Sequence, residues 1–367
     1  MTDAELVTRA KALLDRLAET PRFAGSADEA RARAVCRTEL ETAGFTCIDQ
    51  PFEFSEWPAR WGPPLATLLQ LLALLVVMQL AQRGDALLAV LVAAAAFATL
   101  TSVGANVRRY GITSSRYARS SSVNLQASRG NPSVWLAAHL DSKSQTVPML
   151  VRIASSVALQ LISVLVIAAV SASVLGVRVG MDAWRALEIA AIAAALPTVL
   201  CFVRNDSNGA VDNATGVAAA LLAASHAGAP RNLGVLITSG EELGLAGARV
   251  WASTAPANIK VLNCDTVDDV GGWRCMYSGA RPVVITSAAE IVGGRLGLPI
   301  RTGRLIPGIL ADNIAFTDVR IEAVTVSRGN FSTLARIHTR RDNSIALTGR
   351  GAAEAGVLLS ALAKELG

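Results

Sequence analysis

Residues 233–248 read LGVLITSGEELGLAGA, and this stretch decides the fold. Residues 233–239 form an apolar run rich in β-branched and aliphatic side chains, which reads as a buried strand. Ser239 and Gly240 close it, and a helical pattern follows near residues 243–254. Between them Glu241 and Glu242 stand side by side among glycines. Adjacent residues diverge in direction, so one carboxylate can bind a metal while the other holds a water. A solvated turn has the same local sequence.

The same alternation extends outward. Residues 133–138 (SVWLAA), 259–264 (IKVLNC) and 321–327 (IEAVTVS) read as further strands, with helices near 213–226, 283–296 and 350–366. Strands alternating with helices predict an α/β fold with a sheet covered on both faces. Ahead of this, residues 2–19 have the apolar spacing of an amphipathic helix, broken by Pro21 and Gly25. Residues 27–43 read as a second helix with Ser26 as N-cap and Gly44 as its stop, and residues 45–54 as extended.

Composition points elsewhere as well. Of 367 residues, 52% are hydrophobic and 17% charged, against about 25% charged in soluble proteins. Mean hydropathy is +0.42. A disordered chain, a collagen-like chain and a disulfide framework are excluded. The net charge of +5 comes mostly from scattered arginines, so no nucleic acid is expected as a partner. The five cysteines include no CxxC pair and read as free thiols. No cleavable signal peptide is read at the N-terminus.

Residues 65–81 and 86–103 carry no charge and are joined by Gln82-Arg83-Gly84-Asp85. They predict a transmembrane hairpin, because a crossing helix needs about 20 apolar residues. Trp57 and Trp61 precede it at the expected interface. A second hairpin is predicted from 153–175 and 186–203, with Trp184 at its edge, Pro197 as a kink and Glu188 near one end, where it would snorkel. Arg108, Arg109, Arg116, Arg119, Arg152 and Arg204 lie on one side of these runs. Only Arg83, Arg178 and Arg185 lie at the tips, which places the remaining chain on the cytoplasmic side of an inner membrane. The resulting layout is 1–60, 106–150 and 205–367 for one domain, with hairpins at 61–105 and 151–204.

The chemistry-bearing residues lie between these runs. His139-Leu140-Asp141 ends one strand, and a strand places i and i+2 on one face. Asp141 would then orient the imidazole, as metal-bound histidines require. Gly209-Ala210-Val211-Asp212-Asn213 opens a helix, where Asp212 also fits a helix cap. Asp265 ends the strand IKVLNC, and His338 lies in a loop after Asn330 and Phe331. Two histidines and several carboxylates at the carboxyl ends of strands suit zinc, and two metals about 3.5–4 Å apart need a shared carboxylate. His226 reads as a surface or packing residue and Cys264 as a core thiol.

These pieces, in order, resemble the M28 family of zinc peptidases. The resemblance rests on Glu19-Thr20-Pro21-Arg22-Phe23-Ala24-Gly25-Ser26, AAHLDS (137–142), GAVDNATGV (209–217), SGEELGLAGA (239–248), NCD (263–265) and IHT (337–339). It implies a zinc-exopeptidase-like fold with a mixed, mostly parallel central sheet, into which four transmembrane helices are inserted as two hairpins. It also implies two zinc ions. His139 and Asp265 would bind one, Glu242 and His338 the other, and Asp212 both. Glu241 would be the general base on a metal-bridging water, and Asp141 the partner of His139. The implied activity is a membrane-anchored aminopeptidase, with peptides and the lipid bilayer as partners. Carboxypeptidase, dipeptidase or glutaminyl cyclase chemistry, or a non-catalytic receptor or scaffold, are the alternatives. Two positions depart from the family pattern. Asn313 replaces a histidine in Ala311-Asp312-Asn313-Ile314-Ala315-Phe316, and Ile337 stands where some members have an oxyanion-stabilising tyrosine. The sequence carries no signal for oligomeric state.

Overall fold

A computed structural model describes residues 3–306 and 308–367, with the backbone alone at Arg108 and Arg109. Residue 2 of the predicted first helix, and the side chains of those two arginines, therefore lie outside the described residues. Along the chain, α1 (Asp3–Leu17) and α2 (Ala27–Thr42) precede β1 (Thr46–Ser55). Then come α3 (Trp57–Gln82), α4 (Ala86–Asn106), β2 (Arg119–Arg129), β3 (Val134–His139), α5 (Met149–Val174) and α6 (Met181–Val199). The remainder is α7 (Thr215–Ser225), β4 (Leu233–Thr238), α8 (Ala246–Ala252), β5 (Lys260–Val267), β6 (Gly272–Tyr277) and α9 (Val283–Arg295). It closes with β7 (Ile300–Arg304), α10 (Asn313–Asp318), β8 (Glu322–Gly329), α11 (Phe331–Arg336) and α12 (Arg350–Leu366).

Two compact units result. The first comprises Met1–Phe54, Arg119–Ser144 and Arg204–Gly367, the second Ser55–Ala118 and Gln145–Val203. In the first, the described residues form an 8-stranded sheet in the order β1-β2-β4-β3-β5-β8-β6-β7. Strands β4, β3, β5 and β8 run parallel, as do β6 and β7; β2 and β6 are antiparallel to their neighbours β4 and β8. The predicted mixed, mostly parallel sheet is thus present. Every residue of β3 and β4 is buried, as a strand covered on both faces requires. On one face Trp135 and Leu236 pack with Trp251 of α8 and Phe316 of α10. On the other, α7 and α12 pack against each other and against β3 and β5. The Ser26 hydroxyl accepts a hydrogen bond from the Glu29 amide, as a cap of α2 should. Three strands, β2, β6 and β7, carry no apolar run and were not predicted.

The second unit consists mainly of α3–α6. Their inward side chains form one cluster, including Met78, Ala89, Val166, Trp184, Ala191 and Ala195. Three of the four, α3, α4 and α5, are long and apolar enough to cross a membrane. The expected fourth run, 186–203, is not one helix. Its helix begins at Met181 and ends at Val199, so it takes in Asp182, Arg185 and Glu188 and lacks the last apolar residues. Trp57 and Trp61 lie within the first turns of α3 rather than ahead of it. Trp184 is buried in the cluster rather than held at an edge, because it starts an inward-facing row with Ala191 and Ala195.

Candidate metal centre

The sheet delivers most of the predicted site residues, and two loops beside helices deliver His338 and Asp212. His139 is the last residue of β3, Glu241 and Glu242 follow β4, Asp265 lies in the last half of β5, and His338 follows α11. Asp212 lies in an irregular turn ahead of α7 with non-helical dihedrals, and the N-cap of α7 is Ala214. The cap reading of Asp212 is therefore wrong. The turn folds so tightly that two glycines are obligatory. A Cβ at Gly209, whose φ is +57°, would stand 2.4 Å from Ser142 Cβ and 2.5 Å from the Asp212 carbonyl oxygen. At Gly216 it would meet the Cys264 carbonyl oxygen at 2.4 Å.

The structure brings His139, Asp212, Glu242, Asp265 and His338 together as two overlapping groups. His139 Nε2 lies 3.2 Å from Asp212 Oδ1 and 3.5 Å from Asp265 Oδ1. His338 Nε2 lies 3.1 Å from Asp212 Oδ2 and 3.1 Å from Glu242 Oε1. Asp212 thus offers one oxygen to each group. In each, the three candidate ligand atoms lie within 4.8 Å of one another, and all five residues are buried.

The donor set fits divalent metal ions. Among the described residues, His139 Nε2 and Glu242 Oε1 are buried without a hydrogen-bond partner, although both face the other candidate ligands. Such atoms are costly unless something else satisfies them. Electrostatics agrees. Burial disfavours a proton on His139, yet Glu241 and Asp265 outweigh it and raise its proton affinity well above the usual histidine range. The negative field that would hold a proton there favours a metal cation equally. Burial pushes the Glu241 carboxyl well above the carboxylate range, and Glu242, Asp265 and Asp312 add to the effect against His139.

Backbone clamps fix the loops. The Asp141 carboxylate accepts from the amides of Glu241 and Glu242, at 3.2 and 3.1 Å. It is not the hydrogen-bond partner of His139. His139 Nδ1 pairs instead with the Asp141 main-chain oxygen at 3.0 Å, while the carboxylate stands 3.7 Å away. The reason is that two consecutive amides at the turn capture both carboxylate oxygens. Asp342 does the same for the amides of Val211 and Asp212, at 2.7 and 3.2 Å. The fully buried Arg22 guanidinium donates to the carbonyls of Leu17, Leu140, Asn208 and Gly209. It thereby ties the loop after β3 to the turn that carries Asp212. Asn213 Nδ2 donates to the Cys264 carbonyl, 2.8 Å away. Sequence reasoning missed Asp342 and Lys143 altogether. Their only signal is closeness to a motif, four residues after His338 and four after His139. His226 lies at the end of α7 and only caps its own turn, through Gly228. Cys264 is buried, and burial pushes its thiol well above the ordinary cysteine range.

Two imidazole–carboxylate groups that share an aspartate, with a further buried carboxylate beside them, suit metal-dependent hydrolysis. The chain belongs to Peptidase family M28, whose sequence profile matches residues 122–363. Similar solved structures share the fold. An aminopeptidase from Aneurinibacillus sp. strain AM-1 matches with TM-score 0.55 at 13% identity, over 99% of this chain and 95% of that one. The glutaminyl cyclase of Fimbriiglobus ruber matches with TM-score 0.56 at 15% identity, over 98% and 95%. BSAP, a zinc aminopeptidase from Bacillus subtilis, matches with TM-score 0.56 at 12% identity, over 97% and 94%. No curated protein matches the sequence.

Proposed function

We propose that this M28 peptidase is a membrane-anchored dizinc aminopeptidase. The observation that carries the reading is the division of Asp212, whose two oxygens face different imidazoles. His139, Asp212 and Asp265 would hold one zinc, and Asp212, Glu242 and His338 the other. When bound, the ions lower the pKa of a water and polarise the scissile carbonyl. Glu241 takes the proton of the attacking water on its carboxylate and passes it to the leaving amine. Burial and the neighbouring carboxylates raise its proton affinity, which favours taking up that proton. Asp141 holds the Glu241 and Glu242 amides, so the base and a ligand keep one relative orientation.

Anchoring rests on α3, α4 and α5, with α6 as the proposed fourth span. Within that unit the Glu188 carboxylate of α6 accepts from Gln79 and Gln82 of α3, at 2.9 and 2.8 Å. Those donors satisfy the one carboxylate in the helix's middle turns. Four spans of an inner membrane leave the peptidase segments on one side, and the arginine asymmetry favours the cytoplasm.

The test uses detergent-purified, zinc-loaded protein beside its Glu241→Gln variant, on aminoacyl anilides and on free and N-acetylated peptides. Cleavage of free but not acetylated substrates, reduced about 10²- to 10⁴-fold in the variant, is expected. Conversion of N-terminal glutamine without release of an amino acid would move the reading to cyclisation. No turnover of any substrate by zinc-bound protein would overturn it.

A further inference from the structure

Lys143 follows His139-Leu140-Asp141-Ser142 directly, and its side chain returns to the metal-site loops. Its Nζ lies 2.8 Å from Glu242 Oε2 and donates to the Glu242 carbonyl oxygen at 3.0 Å. The Lys143 side chain keeps 14% of its surface exposed and the Glu242 side chain 4%. The ammonium is thus held at two points on one residue and is largely shielded from water. Glu242 is divided as a result. Oε1 faces His338 Nε2 at 3.1 Å, and Oε2 faces a fixed positive charge.

The other group is built differently. Its own carboxylate, Asp265, accepts a 3.0 Å hydrogen bond from the Thr266 hydroxyl, which is neutral. In composition the two groups match: one imidazole, one carboxylate of their own and the shared Asp212. They differ in the charge of the group that grips the unshared carboxylate. A solvated lysine would be screened by water and salt, whereas one packed on a buried carboxylate is not.

We propose that Lys143 makes the two metal positions unequal, weakening the Asp212–Glu242–His338 group for a divalent cation and leaving the His139–Asp212–Asp265 group the tighter one. The proposal rests on the two-metal reading above. A cation entering the Glu242 group shares that carboxylate with an ammonium and is repelled by it. A cation entering the other group meets a neutral hydroxyl on its own carboxylate, because the Thr266 hydroxyl donates to the same Asp265 Oδ1 that faces His139. The protein accordingly holds one ion firmly and the other exchangeably, so that free zinc sets how much of the chain carries both.

The experiment is zinc titration of the full-length, detergent-purified protein against a competing chelator. Lys143→Met and Lys143→Arg are compared with wild type, alone and combined with His139→Ala or His338→Ala. With His139→Ala, which isolates the Glu242 group, Lys143→Met should tighten zinc binding about tenfold or more. Lys143→Arg keeps the charge and should leave the affinity near that of wild type. With His338→Ala, neither Lys143 variant should move it. Weaker binding in Lys143→Met, or an equal change in both backgrounds, would mean a purely structural lysine and overturn the proposal. Wild-type protein that binds no second zinc at any concentration would overturn the two-metal reading as well. Two unequal steps that ignore Lys143→Met would overturn this inference alone.

Discussion

The two units spend the same aliphatic side chains in opposite directions. In the sheet unit Leu136, Leu236, Val261 and Leu262 are fully buried, and buried polar side chains there include His139, Asp212, Glu242, Asp265 and His338 of the candidate metal centre. In the helical unit Leu87, Phe97, Leu161, Val164 and Ile189 keep 62–72% of their surface exposed. Its interior is filled largely by alanine, valine and a few larger groups. Polar side chains there join helices in pairs, as in Gln70 with Ser163 at 3.1 Å and Ser155 with Thr198 at 2.9 Å. Small inward residues with polar ties are what helix association needs where the surroundings are as apolar as the helices themselves. On the proposed membrane anchoring, the hydrophobic effect orders the sheet unit, while close packing orders the helical one.

This contrast can be tested where it is steepest. Asp212→Asn removes a charge on which both metal groups of the sheet unit depend. On the two-metal reading, zinc per chain, read by elemental analysis, should fall from two towards zero, and activity by more than about a thousandfold. Retention of both ions would break the shared-ligand account. Next is a pair of outward substitutions. Val164→Arg on α5 should cost about 3 kcal/mol of membrane insertion and reduce the fraction resisting carbonate extraction. Ile345→Arg, at an exposed position of the sheet unit, should change stability by less than about 0.5 kcal/mol. If the two behave alike, the surroundings of the units do not differ as argued.

A smaller effect concerns the cost of burying polar groups in the sheet unit. Glu29 is fully buried and accepts from the Gly25 amide and the Ser122 hydroxyl. Burial, then the charge of Asp141, pushes its carboxyl up to about 7. A carboxyl raised in the folded state favours folding while it is protonated. That contribution is complete below its unfolded pKa, near 4.5, and is lost as pH rises through about 7. Glu29→Gln does not titrate. Its unfolding free energy should therefore gain on wild type between pH 4.5 and 7, by at most about 3 kcal/mol, and then run parallel. Denaturant melts across that range check it, and parallel curves throughout would refute it.

Much of this was legible in the sequence, for physical reasons. Strands β3 and β4 are buried on both faces, so they appear as unbroken apolar runs. Strand β2 reads RSSSVNLQASR and β7 reads IRTGR; each is partly exposed, and neither shows such a run. The five candidate metal ligands are readable because each belongs to a short motif at a strand end or in a loop. Their supports are not. Arg22 meets Gly209 across 187 residues and Asp342 meets Val211 across 131, so those pairings exist only once the loops have folded. Asp141 illustrates the limit, since i and i+2 on a strand share a face, yet its carboxylate was claimed by the amides of another loop. Helix α6 was misjudged at both ends. Counting from residue 186 omitted Asp182 and Arg185, and continuing to 203 added residues that lie beyond its last turn.

The sheet unit is encoded in three pieces, with the helical unit in the gaps between them. A ribosome therefore delivers α3 and α4, then His139, then α5 and α6, before it has made Asp212, Glu242, Asp265 or His338. On the proposed anchoring, the nascent chain is first a client of the insertion machinery and only afterwards a hydrolase. On the proposed two-metal reading, a partly synthesised chain that has yet to reach His338 lacks one of the metal ligands, so the peptidase is expected to act only once that residue has been made.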